Sequence, residues 1–180
     1  MLPACNQQAR GLLFVSSIIP VFEKKARYFV MVASQIFHTS GRRLFGQIFN
    51  GAATRPATLY ILLRQLDGVS GHPSDAAAAD TLASNLQECT GSGYARQSFT
   101  NNSTNVTEAA GGVGSADSVL TCEQVTFTFT GTINGITHAG IATSSDNSGV
   151  LITSMPLAVT RNVANTDTIK VTCSLNLTQG

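Results

Sequence analysis

Residues 123–131 read EQVTFTFTG, with Val125, Phe127 and Phe129 alternating with Gln124, Thr126, Thr128 and Thr130. Successive side chains of an extended chain point to opposite faces, so a period of two marks a strand with one face buried and one in water. The wet face here carries hydroxyls in place of charges. Downstream, Asn134-Gly135 predicts a turn, and ITHAGIAT (136–143) predicts the strand that returns beside the first. SSDNSG (144–149) predicts another turn, followed by VLITSM and LAVTRNV as strands. In TIKVTCSLNLT (168–178), Ile169, Val171, Cys173, Leu175 and Leu177 take the inward parity and Lys170, Thr172, Ser174, Asn176 and Thr178 the outward one. Strands so closely spaced, joined by Gly/Asn/Asp turns and without helical crossovers, predict a mainly β chain. The expected body is an antiparallel β-sandwich, jelly-roll-like in character.

Upstream of that region, ATLYILLRQL (57–66) is a nearly continuous apolar run of strand length, the pattern of a strand buried on both faces. GSGYARQSFT (91–100) opens on a glycine turn and continues as a mild strand signal, with Ala95, Gln97 and Phe99 on one side. Residues 67–93 are broken by Gly68, Gly71 and Pro73, with a helical turn or two predicted in SDAAAADTLASNLQ behind Ser74 as N-cap. NNSTNVTEAAGGVGSADSVLT (101–121) is polar and insertion-like. RRLFGQIFNG places Leu44, Phe45, Ile48 and Phe49 on one face of a short helix that Asn50-Gly51 stops. The division that follows is an N-terminal arm with a short helix over residues 1–50 and a β-sandwich domain over 51–180, in a chain of 180 residues.

The net charge of +1 conceals a polarity. Residues 1–64 carry eight Lys/Arg against Glu23 alone, a balance of +7, whereas the remaining 116 carry three against nine acids, a balance of −6. A basic arm on an acidic body suits an acidic neighbouring subunit, an anionic surface or nucleic acid. The arm lacks a sustained Lys/Arg run, so nucleic acid is not an expected partner. GLLFVSSIIPVF (11–22) has the length of a signal-peptide core, but its densest basic cluster, EKKAR, follows it, and Pro20 interrupts it. It is too short for a membrane span. Two readings of this end stay open: a structured arm from Met1, or a mature protein that begins at Met31 without residues 1–30.

Four cysteines, Cys5, Cys89, Cys122 and Cys173, form no C-x-x-C pair, and His38, His72 and His138 are far apart in sequence. Zinc-ligand spacing is therefore absent and no metal or cofactor is expected. Buried free thiols are the expectation, with a Cys89–Cys122 disulfide as the alternative in an oxidising compartment. GGVGSA (111–116) has no following G-K-[ST], and a G-x-S-x-G elbow is absent. His138 in ITHAG has no identifiable nucleophile or acid beside it in sequence, and reads as a packing or inter-subunit residue. For Tyr94 and Arg96 the structural reading, Arg96 paired to an acid and Tyr94 anchoring a loop, is set above sugar or phosphate binding. No catalytic residue is expected.

The order FNGAA, PATLYILLRQL, SGYARQSFT, VTFTFTGTINGITHAGIAT, SSDNSGVLIT and NTDTIKVTCSLNLT resembles a group of small virion structural proteins of tailed bacteriophages, of the tail-fibre or capsid-decoration type. The resemblance covers residues 40–178, and order and spacing carry it more than any one motif. It implies a non-enzymatic virion component assembled in the host cytoplasm and placed on the tail or the capsid surface. The partners it implies are further copies of the chain, expected as a homotrimer, other virion proteins, and a host surface glycan if the loops meet the host. Arg42, Arg43, Phe45, Phe49, Tyr94 and Arg96 are the candidate interaction residues. The alternative is a secreted carbohydrate-binding or adhesin-type sandwich, a class that ordinarily displays Trp or Tyr platforms; this chain has no Trp and three Tyr.

Overall fold

The computed structural model describes residues 15–16, 26–28, 33–34, 36–65, 82, 87–110 and 118–177. The apolar run at 11–22 (save 15–16), most of the helix expected at 74–87, and Cys5 and His72 lie outside them. Among the described residues the chain forms one helix and thirteen strands: β1 (Val15–Ser16), β2 (Ala26–Tyr28), β3 (Ala33–Ser34), β4 (Ile36–Phe37), α1 (Thr39–Phe49), β5 (Thr58–Arg64), β6 (Gln97–Thr100), β7 (Val106–Ala110), β8 (Ser118–Cys122), β9 (Val125–Thr128), β10 (Ile133–Ala142), β11 (Leu151–Val163), β12 (Thr168–Val171) and β13 (Ser174–Leu177).

The largest sheet has the order β4-β11-β10-β5-β6, and its neighbours pair antiparallel. Two three-stranded sheets, β2-β12-β9 and β13-β8-β7, and the pair β1-β3 complete the described strands. Every described pairing is antiparallel except β2 with β12. The chain is thus mainly β, and its arrangement is sandwich-like. Leu59, Ile61 and Leu63 of β5 enter one continuous core with Phe99, Val125, Phe127, Ile169 and Val171, so the large sheet and the β9/β12 sheet share their apolar faces. The opposite parity of β5 sends Leu62 to a smaller cluster with Leu82, Ala142 and Leu151, which explains why this segment reads as apolar throughout.

The alternation at 123–131 is realised as expected: Val125, Phe127 and Phe129 are buried while Thr126, Thr128 and Thr130 are exposed. Four details differ from the sequence reading. Asn134-Gly135 makes no turn; β10 runs through it, and pairs with β11 and β5 instead of β9. Gly135 takes φ +73 at a register shift, with its N–H donated to Asn162 Oδ1 at 2.8 Å, so the glycine serves a bulge. Second, 151–163 is a single strand that carries Pro156 past the two-residue β4, where β11 is the sheet edge and a missing N–H is tolerated.

Third, the last predicted strand divides after Val171. β12 pairs with β9 and β13 with β8, while Cys173 bridges the two sheets and its carbonyl accepts the Cys122 N–H at 2.8 Å. The inward parity survives the break, with Ile169, Val171, Cys173 and Leu175 all buried. Fourth, the polar stretch 101–121 is no mere loop, for it supplies β7 and β8 of the third sheet. Strand pairing also begins ahead of the pattern at Ala57, since β4 joins β11 through Thr153–Phe37 and Ser154–Ile36.

Candidate interaction surface

The segment after Gly91 builds a polar clamp. Gly91, Ser92 and Gly93 all have positive φ, and the Ser92 carbonyl accepts the Thr130 N–H at 2.8 Å, seating the turn on the end of β9. From there Tyr94 lays its ring parallel to Phe127, 5.9 Å between centroids, and its hydroxyl reaches through to the polar side. That hydroxyl donates to Glu88 Oε1 at 2.7 Å and accepts the Leu63 N–H at 3.0 Å. Arg96 grips the same carboxylate with two hydrogen bonds, Nε to Oε1 at 2.8 Å and Nη2 to Oε2 at 2.6 Å. Its remaining donors go to the turn after β10: Nη1 to the carbonyls of Ser144 (2.9 Å) and Asp146, and Nη2 to Asn147 Oδ1 at 2.7 Å.

The two charged side chains are 5% and 15% exposed, so each is held by the other and by backbone dipoles away from bulk water. This enclosure shifts the protonation of Tyr94 and Arg96. Burial, then the Glu88 charge and hydrogen bond, push the Tyr94 phenol far above its ordinary value. The Glu88 hydrogen bonds raise that of Arg96. The acid that Arg96 was expected to find is therefore Glu88, eight residues before it, and Tyr94 does anchor a loop. Both residues spend their polar atoms on the fold. Sequence spacing alone did not single out Glu88, because the bridge between Arg64 and Glu88 that positions it is a tertiary contact.

A second buried polar set lies on the far face of the large sheet. Ser154 Oγ lies 2.9 Å from His38 Nε2 and accepts from Arg64 Nη1 at 3.2 Å, and all three residues are buried. Burial lowers the Arg64 guanidinium to about 10, against the raising effect of Glu88. A hydroxyl beside an imidazole has the components of a nucleophile and a base, yet both are enclosed and the hydroxyl already serves a cation. What the contact does is fix the start of α1. His38 is the N-cap residue, its own N–H donates to the Ile152 carbonyl at 3.0 Å, and Ser40 Oγ donates to Leu151 O at 2.9 Å. These partners are over a hundred residues apart, so the sequence offered no signal for them. His138 shares a 2.9 Å hydrogen bond with Thr137 through Nδ1 and stands opposite Arg64 and Pro156 in adjacent strands. Among the described residues no group of three or more His, Cys, Asp or Glu is placed to hold a metal ion. No helix among them is long and apolar enough to cross a membrane.

The helix so fixed presents an apolar surface. Gly41 is buried where α1 crosses β11, and a Cβ there would stand 2.5 Å from the Ile152 carbonyl oxygen. This close approach draws Leu44 against the core. The single apolar face expected of Leu44, Phe45, Ile48 and Phe49 is thereby divided. Leu44 and Ile48 are half-buried, while Phe45 is 46% and Phe49 95% exposed, and Arg42 and Arg43 are exposed beside them. Between α1 and the β7–β8 hairpin opens a groove of about 190 Å³, lined by Leu44, Phe45, Ile48, Leu59, Leu120 and Leu175 among others. Of the six candidate interaction residues, four therefore cluster on α1, and the other two form the clamp.

Residues 38–178 match the family described as Podophage GP4 fiber I protein gp80. No curated protein sequence matches the chain. The matched region starts at the N-cap of α1 and runs through β13, taking in the clamp, the groove and every strand of the large sheet except β4. The chain belongs to this podophage fibre protein family and is a structural protein of a phage virion.

Proposed function

We propose that the chain is a subunit of a podophage tail fibre, a rigid β body that works by packing against copies of itself and against other virion proteins, without catalysis. The observation that carries this reading is the family match over 38–178, since the family is described as a fibre and not as a capsid protein. The structure supplies a physical reason for an assembled state. Phe45 and Phe49 expose aromatic surface on a helix locked to the sheet, and apolar area left in water costs about 25 cal/mol per Å². Exposed large apolar groups adjoining an apolar groove mark a contact surface. The expected assembly is a homotrimer, with α1 and the preceding residues of the 1–50 region as the attachment. Immunogold labelling of intact particles with an antibody to this chain should decorate the tail. Label confined to the capsid would point to the decoration role, and particles without label would remove the reading.

A further inference from the structure

We infer that the groove beside α1 is covered by a second copy of this chain, with Phe49 of each copy seated in the groove of the next. The inference rests on the oligomeric fibre reading and names the surface that makes the oligomer. Phe49 is 95% exposed and lies one helical turn beyond Phe45, which lines the groove. Hole and knob thus sit side by side on one rigid helix. The fit is sterically reasonable, because an apolar cavity of ~150 Å³ accepts a benzene ring and this groove measures about 190 Å³.

The charges around the groove select the occupant. One wall is α1, which exposes Arg42 on the side of Phe45 and Phe49 (three and seven residues on), with Arg55 at the lining itself. The opposite wall is the β7–β8 hairpin, whose Val106 and Cys122 line the groove while Glu108 and Glu123 beside them are exposed. The α1 side is thus basic and the hairpin side acidic, so a neighbour placed head to tail sets its acidic hairpin against this basic helix. Contacts of that heterologous kind close into rings when the rotation permits, and a ring of three uses each knob and each hole once. The burial of Phe49 supplies affinity, while the opposed walls set register and speed encounter.

Sedimentation equilibrium and light scattering of the full chain test the inference, with circular dichroism to verify folding. The wild type should sediment as an oligomer. Phe49→Glu should shift it to a monomer with an unchanged spectrum, and Phe49→Ala should weaken association at least tenfold. Arg55→Glu should weaken it several-fold, and adding Glu123→Lys in the same chain should recover most of the loss. An oligomer that withstands Phe49→Glu would overturn this surface while leaving an oligomer built through another face. A wild type that is monomeric at every concentration, yet whose antibody still labels the phage tail, would overturn the inference and spare the fibre reading. A monomer in which Phe49→Glu makes residues 1–37 newly sensitive to protease would assign the groove to the chain's own N-terminal segment, and so overturn it as well.

Discussion

Glu88, Tyr94 and Arg96 show how much depends on single side chains. Arg96 places five hydrogen bonds on Glu88 and the 144–147 turn, and a lysine cannot reproduce that planar fork. Removing one member of a buried pair strands the other, so Glu88→Gln should destabilise the fold by about 3 kcal/mol. The urea midpoint should fall accordingly, and Arg96→Lys should lower it too. Unchanged midpoints would mean that the pair contributes no net stability. The thiols give a second residue-scale expectation. Cys89, Cys122 and Cys173 are free and buried. Burial pushes the first two up from 9.0 to about 12, with Glu88 adding to the effect at Cys89. A raised folded value means that the contribution to stability is whole below pH 9 and is lost as the pH climbs toward 12. At pH 8 these three thiols should resist iodoacetamide in the native protein and react in denaturant, as mapped by mass spectrometry. Native labelling of Cys122 would contradict its burial.

At the level of elements, α1 depends on Gly41. The added methyl of Gly41→Ala would meet the Ile152 backbone at 2.5–3.0 Å, which only a displacement of the helix can relieve. Overpacking of this kind costs about 1–3 kcal/mol, and Leu44 would lose its seat in the core. A melting temperature equal to that of the wild type would refute the close approach. The 144–149 turn has its own pH response. Hydrogen bonds from the Ser144 and Ser148 hydroxyls, then from the Ser148 N–H, hold Asp146 down from 3.8 to about 2. A lowered carboxylate stabilises above its ordinary value and ceases to do so as the pH falls through 2. Amide exchange at Ser148 should therefore quicken between pH 4 and pH 2, after correction for intrinsic rates; a flat corrected profile would show that the carboxylate is not what closes the turn.

These elements also show what the sequence could reveal. The alternation at 125–129 and the apolar run at 58–64 are local consequences of burial, and both were legible. Asn134-Gly135 misled because a positive-φ glycine serves a bulge as well as a hairpin, and only the partner strand distinguishes them. The division at Cys173 leaves no mark in the sequence pattern, because a strand that changes sheets keeps its parity. β7 and β8 were hidden by polarity: Thr107, Glu108 and Ala109 are exposed, so little of the strand carries an apolar mark. In the candidate interaction surface, the residues on α1 are legible as helix periodicity. The groove was not, since its walls come from segments that only the fold brings together.

For the molecule as a whole, the polarity of charge along the chain brings Arg55 to the groove lining and leaves Glu108 and Glu123 exposed near the lining residues Val106 and Cys122. A rigid body with an apolar, charge-opposed flank is suited to building a repeating structure. Screening weakens such steering, so association of the purified chain should slow as salt rises from 50 to 500 mM, since the Debye length shrinks from ~14 Å to about 4 Å. Stopped-flow light scattering would follow it, and a salt-independent rate would leave the charged walls without a part in assembly. The most direct test of the central claim is a cryo-electron microscopy reconstruction of the intact phage particle at side-chain resolution. The account predicts this β body on the tail in several symmetry-related copies, with the α1 face covered by protein. Finding it on the capsid alone, or on the tail as single copies with α1 in solvent, would contradict it.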